Sequence, residues 1–380
     1  MTAISNSRHA LIAIVVFAFT APHAAGLIEM NEGRDKVTVT AGYGISYDSN
    51  LYAHSGSAGD VDQSLSLGAN YTRSAGMIGF SSSASVTSAR FHRFSSEDYT
   101  NPSLTIGFAK NDGRLTGSLS LTGQRESRSE DAANIRANSW HYSSDLGLRY
   151  PVNDRYYLTS LSDISIRDYT QNTPLYNLSS YAESVDLYYV YSSKLDLLGG
   201  YRIRIGQAQG GSGTQDSAFT LGATGGILPK LSGTMRAGYQ WRYEDGIDGG
   251  NYHSLTTAFS LAWPIDRRIT LSFQTSKDFM TAATDVTVDA TAFDLSATIK
   301  PNLRVKIAFT ADAGYTISQY LGRRGAGRED RTLSLIAHLS IPIKSHFAAS
   351  LSYGYYSNDS NIAFSKYERN TASFDMSLHY

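Results

Sequence analysis

The stretch "TLSLIAHLSI" places apolar Leu333, Leu335, Ala337, Leu339 and Ile341 against Thr332, Ser334, His338 and Ser340, with Ile336 alone breaking the second set. A period of two gives an extended chain one greasy face and one wet face. The pattern recurs at Val37, Val39, Ala41, Tyr43, Ile45 and Tyr47, at Leu65, Leu67, Ala69 and Tyr71, and at Leu195, Leu197, Tyr201, Ile203 and Ile205. Its longest run is Val305, Ile307, Phe309, Ala311, Ala313, Tyr315 and Ile317. No comparable stretch beyond residue 26 carries helical spacing, so the chain is expected to be almost free of helix.

Eighteen such segments are readable, at about one per twenty residues, which is the density of a transmembrane β-barrel. They fall near 36–52, 61–73, 77–93, 100–110, 114–127, 138–150, 155–168, 178–192, 195–208, 215–227, 231–243, 251–263, 269–279, 286–299, 304–320, 329–342, 347–357 and 365–380. After even-numbered segments the links are short, as in "SAG" (74–76), "SSK" (192–194) and "IKPNL" (299–303). After odd-numbered ones they are longer and polar, as in "AHSGSAGD" (53–60), "QAQGGSGTQ" (207–215) and "LGRRGAGRED" (321–330). Short turns on one rim and longer loops on the other fit an all-β, antiparallel, up-and-down barrel with an even strand count. Aromatic residues agree: Tyr150 and Trp263 precede short turns, whereas Tyr47, Tyr239, Trp241 and Tyr353 lie towards the longer loops, so two interfacial girdles are expected.

Both ends of the chain support export and insertion. "ALIAIVVFAF" (10–19), preceded by Arg8 and followed by small residues, reads as a signal peptide over residues 1–26, too short to anchor in a bilayer. Residues 27–35 would be a short periplasmic segment and 36–380 the barrel. The chain ends "SFDMSLHY", with Phe374, Met376, Leu378 and Tyr380 on one face. A closed barrel pairs its last strand with its first and leaves no edge, so an amphipathic strand running to the carboxylate is expected. This ending resembles the C-terminal signal of bacterial outer-membrane proteins, which implies the barrel assembly machinery as a partner and outer-membrane lipid as the surroundings.

Composition narrows the function. A mean hydropathy of −0.26 with 41% hydrophobic residues excludes a helical membrane protein. With 33 Lys and Arg against 34 Asp and Glu there is no nucleic-acid footprint. Zero cysteines leave neither disulfides nor thiolate metal sites. The histidines are scattered without a zincin motif, and no serine stands in a nucleophile elbow, so no catalytic residues, cofactor or metal ligands are assigned. "EDGIDGGN" (244–251) lacks the spacing of a calcium loop and reads as a solvated turn.

Residues alternating with the lipid face must line whatever the barrel encloses. Candidates are Arg202, Arg204, Arg236, Arg242, Lys306, Asp145, Asp163 and Asp312. Two readings stay open for them: a conducting surface, or a charge ladder that holds the barrel round. None of the longer loops is long enough to suggest an inward plug, so an open path for small hydrophilic solutes is expected. The competing readings are a barrel enzyme of lipase or protease type and a structural or surface-interaction barrel.

"GISYDSNLY" (44–52) ends the first segment, and "GYYSNDSN" (354–361) recurs in the penultimate one. The Tyr-Asp-Ser-Asn element resembles that opening the barrel in the putative β-barrel porin type 2 family. The resemblance implies a bacterial outer-membrane channel and, from some members, a conduit for an exported polysaccharide. Large periplasmic repeat domains, present in other members, have no counterpart in residues 27–35.

Overall fold

The computed structural model describes residues 28–30, 34–74, 76–170, 174–246, 249–301, 306–325, 327–344 and 346–379. The signal-peptide expectation and Tyr380 lie outside these. A three-residue strand, β1 (Ile28–Met30), precedes eighteen long ones. These are β2 (Asp35–Asp48), β3 (Asp60–Arg73), β4 (Gly79–Phe91), β5 (Tyr99–Lys110), β6 (Thr116–Glu130), β7 (Ile135–Pro151), β8 (Tyr156–Tyr169), β9 (Leu178–Val190) and β10 (Leu195–Ala208). They continue as β11 (Gly213–Leu228), β12 (Leu231–Glu244), β13 (Gly250–Pro264), β14 (Ile269–Ala282), β15 (Val286–Ile299), β16 (Ala308–Tyr320), β17 (Glu329–Lys344), β18 (Phe347–Ser360) and β19 (Tyr367–His379).

From β2 onward each strand pairs antiparallel with the next, and β19 returns to β2 from Thr371↔Asp48 to His379↔Thr40. The barrel is therefore closed with eighteen strands, and its backbone groups are satisfied without water, as a bilayer requires. β1 pairs with β2 from Ile28↔Val37 to Met30↔Asp35, continuing the ladder past the last rung that β19 supplies. The N-terminal segment thus covers Asp35–Val37 of the β2 edge, beyond the last rung that the described part of β19 supplies.

Register sorts the side chains. Leu65, Leu67, Phe219, Leu221, Leu255 and Tyr239 all stand exposed on the outer face, where only lipid could cover them. Inward-facing positions are mostly serine, threonine, glycine and charged residues. Because the interior is polar, apolar burial is confined to small clusters near the rims.

Several boundaries differ from those the alternation suggests. β16 starts at Ala308, not near 304, and residues 302–305 lie outside the described set. The expected longer link 207–215 shrinks to 209–212, and the gaps between expected segments at 128–137 and 280–285 shrink to 131–134 and 283–285, because flanking strands run further than the alternation alone suggests. The rim asymmetry survives in 49–59, 170–177 and 321–328.

Two hairpins depart from the wall. β6 and β7 stay paired to Glu130↔Ile135, yet β5–β6 pairing stops at Ser103↔Gln124 and β7–β8 pairing at Ser139↔Tyr169. β14 and β15 stay paired to Ala282↔Val286, yet β13–β14 pairing stops at Thr257↔Lys277. Residues 125–138 and 278–285 therefore form hairpin tips freed from one or both neighbours in the wall.

Candidate functional site

The freed tips fold inward across the mouth that carries the longer loops. The β6–β7 tip has two polar faces. On one, Glu126 and Glu130 meet Arg167 of β8 at 2.7 and 3.8 Å, with Arg128 3.0 Å from Glu130. On the other, Arg136 lies over the rings of Phe91 and Tyr99 at 5.1 and 5.7 Å and 3.3 Å from Glu97. Ser129 donates to the Leu51 carbonyl at 2.7 Å. The turn reaches further: Asn134 donates to the Ala53 carbonyl at 2.6 Å, and Arg328 donates to the carbonyls of Ala132 and Asp131 at 2.8 and 3.0 Å. One tip therefore bridges the loops after β2 and β16, on strands far from its own.

The β14–β15 tip lies along the inner wall of β10–β13. Asp278 receives two hydrogen bonds from Arg202, at 2.8 and 2.9 Å, and two from Arg204, at 3.2 and 3.4 Å. Arg204 also donates to Asp216 at 2.7 Å, and Asp216 accepts from Arg242 at 2.5 and 2.8 Å. Arg242 continues to the Met280 carbonyl at 3.0 Å and Thr287 at 3.2 Å, with Phe279 under its guanidinium. Three arginines and two aspartates thus alternate, and the tip contributes one aspartate and its backbone carbonyls. Charge-assisted, partly bidentate contacts of this kind fix geometry strongly. Ala283 at the second tip joins Ala137 of the first and Leu175 of the 170–177 loop in one buried apolar cluster.

The sequence candidates divide accordingly. Arg202, Arg204 and Arg242 form this ladder. Arg236 sits apart, 2.8 Å from Asp186 and donating to Tyr188 at 2.8 Å. Gly200 makes that pairing possible, since a Cβ there would collide with the Asp186 carboxylate. Asp145 and Asp163 are cross-strand register partners on the inner face of β7 and β8. Asp312 faces inward from β16, between Ser296 and Ile336. Lys306 is exposed and lies in the link before β16, outside any strand. Phe374 and Leu378 are exposed on the outer face, while Met376 is half-buried there.

Asp278, Asp216 and Glu126 were not singled out by the alternation, which did place Arg167 inside, and neither was the in-folding. A signal was present in "RESRSE" (125–130), which is polar at both parities. A strand with no apolar face cannot lie in a bilayer wall and has to turn inward or leave the membrane. The expectation that no loop folds inward is corrected: here strand ends fold in, with loops of three and four residues at their tips.

With this geometry the chain can be set beside known proteins. Residues 201–380 match the family described as "Putative beta-barrel porin 2". Over that span, just under half of the chain, the sequence is similar to this porin family. No curated protein matches the sequence. Among solved structures, OccK2 (OpdF) of Pseudomonas aeruginosa superposes with a TM-score of 0.50 at 10% identity, covering 91% of this chain and 98% of that one. OpdK of the same organism, solved with vanillate, gives 0.49 at 10% identity over 90% and 99%. OccAB3 of Acinetobacter baumannii gives 0.47 at 12% over 91% and 99%. At such identity the first likeness speaks to the fold alone. The fold is that of a closed outer-membrane β-barrel, and the bacterial outer membrane is its location.

Proposed function

We propose that the barrel is a channel carrying small hydrophilic solutes across the outer membrane. The observation that carries this reading is the lumen itself: charged and hydroxyl side chains face inward on β7, β8, β10, β12 and β16, while apolar ones face out. A wall of that kind wets its interior, and eighteen strands enclose more space than their own side chains fill. The in-folded tips narrow the mouth, which favours small solutes over a polymer. Passage of an exported polysaccharide, which the family resemblance suggested, needs both tips withdrawn. The ladder arginines are each paired with a carboxylate, so their net field on a passing ion is weak.

Single-channel recording in planar bilayers tests the reading. The expected result is a small, stepwise conductance with slight ion selectivity. Bilayers that stay closed at every voltage would refute it.

A further inference from the structure

The contact that holds the β14–β15 tip has the form of a bound ligand. Arg202 and Arg204 belong to the wall strand β10, and the group they grip, Asp278, belongs to a segment that has left its own place beside β13. The grip uses two donors of Arg202 and two of Arg204 around one carboxylate, with side-chain exposures of 10%, 12% and 17% for Arg202, Arg204 and Asp278. Two planar forks converging on one carboxylate make a recognition site for that group. Beside them Gln240 is fully buried, with its Oε1 3.4 Å from Arg202 and its Nε2 without a hydrogen-bond partner. The site therefore holds a buried donor that Asp278 does not use. If the tip moved away, Asp216 would be the one ladder carboxylate left beside Arg202, Arg204 and Arg242, and the wall would present an excess of positive charge to the lumen.

We propose that Arg202 and Arg204, with Gln240 beside them, form a binding site for a carboxylate-bearing solute, and that Asp278 masks it as an internal ligand. A solute carboxylate competes with Asp278 for the two arginines, and its binding releases the β14–β15 tip from the wall. The tip has a structural basis for such movement. Below Lys277 β14 is laddered to β13, and β15 stays laddered to β16 up to Val288, whereas above Lys277 the attachment of the tip to β10–β13 is made largely by side chains, with Ser254 of β13 meeting Asp289 at 2.9 Å and Ser212 of the β10–β11 turn meeting Asp285 at 2.6 Å. Side-chain contacts exchange with a competing ligand far more readily than a ladder does. The inference rests on the channel reading only for what the solute then does.

The chain contains no cysteine, so Ala283→Cys introduces a single thiol at the buried tip. Its rate of modification by a membrane-impermeant maleimide, in the full-length barrel reconstituted in lipid vesicles, reports release of the tip. Sodium acetate is expected to accelerate labelling relative to sodium chloride at equal ionic strength. Adding Asp278→Asn is expected to raise the basal rate about tenfold, the shift that loss of one charge-assisted contact brings, and to remove most of the acetate effect. Equal rates in acetate and chloride would overturn the site without need of any variant at the clasp. An Asp278→Asn barrel that keeps its heat-modifiable mobility and labels no faster would overturn the masking role. Conductance recorded on the same samples separates the two readings. Faster labelling without current keeps the clasp and removes the channel, and current with unchanged labelling does the reverse.

Discussion

Ser365 donates to Asn134 at 2.6 Å, joining the loop before the last strand to the turn of the β6–β7 hairpin across the barrel mouth. The two residues are 231 positions apart in sequence. Asn134 adopts φ of 52°, a left-handed conformation that asparagine tolerates better than most residues, and its amide also reaches the Ala53 carbonyl. One small side chain thus ties three loops together.

Replacing Asn134 with Gly keeps the backbone conformation and removes both hydrogen bonds, which costs the docked tip about 2 kcal/mol by the usual worth of two buried hydrogen bonds. Asn134→Ala adds backbone strain to that loss. Single-channel recordings are expected to show longer or larger openings in both variants, with the alanine form the more affected. A glycine variant indistinguishable from the parent would mean that the turn is held elsewhere.

The pair Arg242–Asp216 is the most deeply buried rung of the ladder, with side-chain exposures of 2% and 1%. Arg242→Met leaves Asp216 to Arg204 alone, and breaking a buried pair from one side costs about 3–5 kcal/mol. The temperature at which the folded band shifts in SDS electrophoresis should fall well below that of the parent. The same logic applies to Arg202, Arg204 and Arg236 replaced together by Glu. Each arginine faces a carboxylate, so the triple variant sets like charges against Asp278, Asp216 and Asp186. Loss of the folded barrel is expected, where a purely pore-exposed set would give reversed ion selectivity in an intact one.

Particular residues show how far the sequence could be read. Leu195 to Ala208 and Val286 to Ile299 matched the expected segments at both ends, because alternation and flanking turns agreed there. Closure was legible from Phe374, Met376 and Leu378, which carry the alternation almost to the last residue. The ladder was half legible. Parity placed Arg202, Arg204 and Arg242 inside, but their partner Asp278 sits at a position where β14 has left the wall and parity no longer maps onto in and out. In-folding is a tertiary choice, made by ion pairs and hydrogen bonds between segments that lie 38 and 76 positions apart, such as Arg242 with Met280 and Arg202 with Asp278. A single strand's pattern carries no record of such a partner, although it does show, at 125–130, that the lipid face is missing.

Asp131 gives the mouth a pH dependence. It lies in the β6–β7 turn with its residue surface exposed, yet the protein packed around the mouth desolvates its carboxyl and, with the charges of Glu130 and Asp330, raises its pKa above the ordinary 3.8, against the opposing pull of Arg369 and Arg128. A carboxyl with a raised pKa in the docked state favours docking when protonated, and that contribution is lost as pH rises from 3.8 through the raised value. Acid is therefore expected to hold the tip down and to reduce open probability. Asp131→Asn should abolish the dependence and leave the channel behaving at neutral pH as the parent does in acid. A parent whose gating is flat across the acidic range would remove Asp131 from the mechanism.

The C-terminal strand tests assembly separately from gating. Phe374 is exposed on the outer face, opposite Ile45 of β2 and Leu351 of β18, at the seam where the barrel closes. A lysine on the lipid face costs about 2–4 kcal/mol at the bilayer midplane, less than the stability of a large barrel yet enough to slow its closing step. Phe374→Lys, and independently deletion of Tyr380, are expected to lower outer-membrane levels with degradation products in the periplasm, if the ending is read by the assembly machinery. The two causes separate on refolding into lipid vesicles without that machinery. Loss of a recognition signal leaves refolding of the Tyr380 deletion intact, whereas loss of strand pairing impairs it in both settings. Wild-type levels of the deletion in cells would show that the final aromatic has no role in targeting.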